Sequence, residues 1–100
     1  MEFIYTDDLV RYMEKKRRLN ISVEVAQSNN SDFDVTEIYI RLVTDKFASY
    51  LCEKKNYRVK KTPVGLVLLP PYRLEYDETI TFFLKKYWIF SFPAQKGITL

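Results

Sequence analysis

The stretch Asp34-Val35-Thr36-Glu37-Ile38-Tyr39-Ile40-Arg41-Leu42-Val43 admits two readings, and the fold class turns on the choice between them. Ile38, Ile40 and Leu42 alternate with Glu37, Tyr39 and Arg41, and the segment is rich in β-branched residues, which predicts a strand over about 36–43. Against this, Asp34 and Glu37 are spaced like a capping box, and Phe33 and Ile38 like a hydrophobic staple. That pairing would start a helix at Val35 and leave residues 35–55 as one long helix. The strand is the preferred reading. Beyond it, Thr44-Asp45 can cap a short helix that carries Phe47, Tyr50 and Leu51 and ends near Asn56.

Upstream, Asn20–Ala26 alternates cleanly, with Ile21, Val23 and Val25 on one side and Ser22 and Glu24 on the other. This is a half-buried strand, and the polar run Gln27–Asp32 reads as a loop after it. Earlier still, Thr6 is a suitable N-cap and Asp7 and Asp8 suit the positive end of a helix dipole. Leu9, Val10 and Met13 give that helix an apolar face, and Lys15, Lys16, Arg17 and Arg18 suit its carbonyl end, so a helix is expected over about 6–18. The same basic run also fits a nucleic-acid contact or an import signal.

Downstream, the texture is strand-like throughout. Tyr57 and Val59 alternate with Arg58 and Lys60. Pro63 and Gly65 punctuate a turn, Leu66-Val67-Leu68-Leu69 forms an apolar run, and Pro70-Pro71 ends it because proline donates nothing to a ladder. Ile80, Phe82 and Leu84 make one alternating set, with Asp77 and Glu78 placed in the turn before it. Trp88, Phe90 and Phe92 make another, ended by Pro93, with Lys85-Lys86 as the corner between the two sets. Three large rings on one strand face are expected to anchor the core. These elements predict a single α+β domain spanning residues 1–100, mostly antiparallel β as a sandwich or small barrel, with an N-terminal helix and a short helix near 44–55.

Composition bounds the chemistry. The chain has no histidine, one cysteine (Cys52) and two glycines among 100 residues. Histidine is the side chain that changes charge near neutral pH and the commonest metal ligand, so most acid–base and zinc chemistry is unsupported. Two glycines cannot build a phosphate-cradling loop, and the carboxylates read as caps and solvated loop residues rather than a catalytic pair. Cys52 reads as a small, partly buried apolar residue. No enzymatic activity, cofactor or metal is expected. The net charge of +3 is mildly basic, and 47% of residues are apolar, enough for a core. The opening Met1–Asp8 is acidic with no long apolar run, and Val64–Leu69 falls far short of the roughly 20 residues that span a bilayer. A cytoplasmic protein without membrane contact is the expectation.

The order of segments is similar to that of the HesB-like, or A-type iron–sulfur carrier, family. The resemblance rests on the opening Phe3-Ile4-Tyr5-Thr6-Asp7-Asp8-Leu9-Val10 that leads into a helix and on the strand Ile21–Val25. It continues through the small-residue loop Ser28-Asn29-Asn30-Ser31, the strand Glu37–Val43 and the aromatic run Ile80–Phe90. In that family a cysteine stands in the loop after the first strand, and typical carriers add Cys-Gly-Cys near the C-terminus. Here the loop holds Asn29 and Asn30, the C-terminus reads Ala94-Gln95-Lys96-Gly97-Ile98-Thr99-Leu100, and Cys52 matches neither position. The resemblance thus implies a scaffold that has lost its metal ligands and acts by contact with a protein partner. The alternative is a nucleic-acid-binding module on a basic, aromatic sheet edge. Its residues would be Tyr57, Arg58, Lys60 and Lys61, with Tyr72, Arg73, Lys85 and Lys86.

Overall fold

The computed structural model describes residues 1–30 and 33–100, folded as an α+β domain of nine elements. In chain order these are β1 (Glu2–Tyr5), α1 (Asp7–Lys16), β2 (Asn20–Asn30), β3 (Phe33–Val43), α2 (Asp45–Lys54), β4 (Arg58–Lys61), β5 (Leu66–Leu69), β6 (Glu75–Tyr87) and β7 (Phe90–Thr99).

The deciding stretch is a strand. In the β2–β3 hairpin Ile21 faces Leu42, Val23 faces Ile40 and Val25 faces Ile38, so both alternating apolar rows fall on one face. That match is the reason the helical alternative fails. A helix from Val35 would scatter Ile38, Ile40 and Leu42 around its axis and leave the β2 row uncovered. The loop expected at Gln27–Asp32 is shorter than its composition suggests. The ladder continues to Asn30 paired with Phe33, since backbone hydrogen bonds carry the register past polar side chains, while Ser31 and Asp32 lie outside the described residues.

Two sheets result, one of order β1-β6-β7 and one of order β3-β2-β5-β4. They share a main core without closing into a barrel. Antiparallel pairing dominates, but β1 runs parallel to β6 and β2 parallel to β5, pairings that local sequence does not announce. The main core joins Ile21, Val23, Ile40, Val67 and Leu69 of the four-stranded sheet to Ile80, Phe82 and Ile98 of the three-stranded one. Leu9 and Met13 of α1 complete it, both fully buried. Phe82 lies at its centre, stacked on Phe3 at 5.9 Å and tilted against Tyr5 at 5.4 Å. The opening Phe3-Ile4-Tyr5 is therefore a strand, and its pairing with β6 hands the chain to α1 through a hydrogen bond from Thr6 N to Phe82 O.

A second, smaller cluster of Val43, Ala48, Leu51 and Leu68 forms where α2 covers the other face of the four-stranded sheet, with Cys52 half-buried at its margin. β5 is thus apolar on both sides, and its unbroken Leu66–Leu69 run is what a doubly covered strand requires. Asn20 ties this layer together. It is buried, its Nδ2 donates to Asp45 Oδ1 at 2.7 Å, and its Oδ1 accepts from Leu66 N at 3.1 Å.

The helices end earlier than their charge pattern suggests. α1 stops at Lys16 because Arg17 turns left-handed (φ 58°), and Arg18 N donates back to Met13 O as in a Schellman cap. Thr6 occupies the N-cap position without capping through its side chain, whose hydroxyl donates to Asp8 Oδ1 instead. Thr44 does cap α2, accepting from Phe47 N.

The C-terminal hairpin departs most from expectation. Asp77 and Glu78 are not in a preceding turn but within β6, where five steps along β6 answer two along β7. Lys85 and Lys86 are also in β6, and the reversal falls two residues later, at Trp88-Ile89. Pro93 does not end the last strand. It pairs with Leu84 inside β7, an edge strand that tolerates a missing N–H on its free side.

Candidate binding surfaces

The turn at Trp88-Ile89 reverses the direction of the chain, so Trp88 shares no strand with Phe90 and Phe92. Trp88 is 90% exposed, Ile89 80%, Tyr87 68% and Phe90 65%. The expected aromatic core anchor is therefore a surface feature. In register, Tyr87 faces Phe90 and Lys85 faces Phe92, which puts three rings and one cation on the outward side of the hairpin. The same side continues across the sheet through Phe83, Ala94 and, on β1, the exposed Ile4, whose register partner is Thr81. An antiparallel sheet with one wet face normally alternates apolar inward and polar outward. Here apolar residues occupy both faces.

The backbone at the tip is unusual as well. Trp88 has φ 59°, the left-handed value that a two-residue hairpin loop asks of its first central residue and that glycine adopts most readily.

The basic, aromatic residues singled out in the sequence fall in two places. Arg58, Lys60 and Lys61 are exposed along β4, an edge strand of the larger sheet. Tyr57 precedes them half-buried, its hydroxyl donating to Glu24 Oε2 at 2.7 Å. Burial and that hydrogen bond push its phenol well above the usual value, and Glu24 also accepts from the Ser22 hydroxyl. Tyr72 and Arg73 are exposed in the connection between β5 and β6. Arg58 comes close to the Tyr76 hydroxyl without reaching hydrogen-bond geometry. Lys85 and Lys86 belong to the other sheet, where Lys86 acts on Asp8 at the start of α1. The Asp8 carboxyl is held below its usual range, chiefly by the Thr6 hydroxyl at 2.6 Å. Asn29 and Asn30 close the β2 side of its hairpin.

Among the described residues, no three carboxylate or thiol groups come together as a metal site would need, and no helix is long and apolar enough to cross a membrane. No protein-family model, no curated protein and no solved structure matches this chain.

Proposed function

We propose that this protein is a non-enzymatic binding module that docks a protein partner on the outward face and tip of its three-stranded sheet. One observation carries the reading: Tyr87, Trp88, Ile89, Phe90 and Phe92 all stand exposed on a single hairpin. Scattered apolar residues on a surface need no explanation, but a contiguous set of large rings does. Tryptophan, tyrosine and phenylalanine are also the residues that concentrate binding energy at protein interfaces. The HesB-like order of segments agrees with this reading through what is missing, since asparagines stand where that family carries its first cysteine. A cytoplasmic location and the absence of a cofactor belong to the same proposal. Nucleic-acid binding along β4 has less support, because Tyr57 is engaged with Glu24 and Lys85 and Lys86 lie on the other sheet.

The test is affinity capture from extracts of cells that express the protein, comparing wild type with the double variant Ile89→Ser/Phe90→Ser. A protein retained in stoichiometric amount by the wild type and lost by the variant is the expected outcome. Capture that is unchanged by the substitutions, or no stoichiometric partner at all, overturns it.

A further inference from the structure

A cavity of about 490 Å³ opens on the opposite side of the chain from the β4 edge, between the end of α1, the outer edge of β3 and Pro93 of β7. Its volume lies in the range of small-molecule sites, roughly 300–1,000 Å³. Tyr12, Lys16, Arg18 and Arg41 supply its polar lining, Ile40, Leu42 and Pro93 its apolar lining, and among the described residues no carboxylate contributes. A second recess of about 180 Å³ shares Arg18, Arg41 and Leu42 with the first and adds Phe47 and Thr44. Arg18 and Arg41 therefore stand where both spaces meet.

The Cζ of Arg41 lies over the Phe47 ring, 4.4 Å from its centre, a cation–π contact that ties the guanidinium to α2. The ammonium of Lys16 lies 5.5 Å from the centre of the Tyr12 ring. Arg18 follows the left-handed turn at Arg17 that ends α1, its backbone N–H donating to Met13 O. The helix end explains Lys16, since cations suit the carbonyl pole. It explains neither Arg41, which projects from a strand, nor the presence of two arginines in the lining of one cavity. Two forked cations match the oxygens of a phosphate. The half-buried Tyr12 ring and the apolar lining beside them match a planar, weakly polar body attached to it.

We infer that this groove binds a nucleoside phosphate, with Arg18 and Arg41 on the phosphate and the base against Tyr12, Ile40 and Pro93. The ligand is either a free nucleotide or one unit of a single strand, which share this chemistry. The site is separate from the aromatic hairpin and does not depend on it.

Calorimetric titrations with adenosine monophosphate, adenosine, inorganic phosphate and a short single-stranded oligonucleotide test the inference. They would use wild type, Arg18→Gln, Arg41→Gln, Arg41→Lys and the control Lys61→Gln. The nucleotide should bind saturably, with adenosine and phosphate each weaker by about tenfold or more, as loss of a charge-assisted or stacked contact implies. Each arginine variant should weaken binding by a similar factor, including the charge-preserving Arg41→Lys, because lysine lacks the fork. Lys61→Gln should bind like wild type. If a strand is the source, the oligonucleotide binds more tightly than the nucleotide, keeps the arginine dependence, and weakens between about 50 and 200 mM salt. Equal affinity for inorganic phosphate and nucleotide overturns the nucleoside assignment. No binding by nucleotide or oligonucleotide, or binding indifferent to both arginines, overturns the site. Unchanged thermal melting of the variants separates these outcomes from misfolding.

Discussion

Trp88 occupies a backbone conformation that costs an L-amino acid about 1–2 kcal/mol. The two glycines are elsewhere, at positions where a side chain has no room. A Cβ on Gly65 would run into Leu19 O, and one on Gly97 (φ 115°) would meet Thr79 O at 2.7 Å. Pro63 and Gly65 mark the turn that is observed, but the approach of Leu19 to Gly65 involves residues distant in sequence and was not legible there. The hairpin tip differs from both glycine sites because space around it is open and only φ is restricted. Trp88→Gly should therefore remove strain and lose almost no packing, raising stability by about 0.5–1 kcal/mol after the entropy of an added glycine is counted. The same change should weaken partner capture. A urea melt and the capture assay on one preparation check both. Lower stability in that variant would mean the indole packs on the domain and is not a free docking group.

The β6–β7 hairpin shows how a sound periodicity argument fails at one turn. Ile80, Phe82 and Leu84 were legible as an inward row, and their strand does line the core. Trp88, Phe90 and Phe92 have the same spacing, yet a two-residue reversal falls inside the set, so the parity shared by those three positions means nothing. Trp-Ile carries no turn chemistry of the Asn-Gly or Gly-X kind, and Lys85-Lys86 looked the better corner. The elements that were legible had clear punctuation: Thr44 before α2, Pro63 to Gly65 before β5 and Pro70-Pro71 after it. Phenylalanine truncation separates the two rows. Phe82→Ala, at a fully buried position between Phe3 and Tyr5, should cost about 3–5 kcal/mol. Phe90→Ala, at 65% exposure, should cost under about 1 kcal/mol, in line with other surface changes. Equal losses in denaturant melts would place Phe90 in the core after all.

At the level of the whole molecule, β5 is the wall that the two apolar clusters share. Val67 and Leu69 face the main core, while Leu68 and Leu66 face α2. Asn20 fastens the first turn of α2 and the start of β5 to β2, so neither cluster can open without disturbing this strand. The sequence showed β5 as a bare apolar run. What it could not show was that β2 flanks it on the side away from the neighbouring β4, since the β2–β5 pairing joins segments far apart in the chain. Arg18 was legible as part of the basic run Lys15–Arg18, but its shared cavity with Arg41 was hidden for the same reason, one residue standing at a helix end and the other on a strand beyond it. Leu68→Ala removes packing from the α2 side alone and should cost about 2–5 kcal/mol, a large share of the roughly 5–15 kcal/mol of a typical domain. Because the wall is shared, that loss should lower a single transition rather than release α2 by itself. Far-ultraviolet circular dichroism and tyrosine fluorescence should fall together at a lower urea concentration, while emission from the exposed Trp88 should barely shift on unfolding. A two-step melt, with helical signal lost before the tyrosine signal, would show instead that α2 and its cluster form an independent unit and that β5 does not couple them.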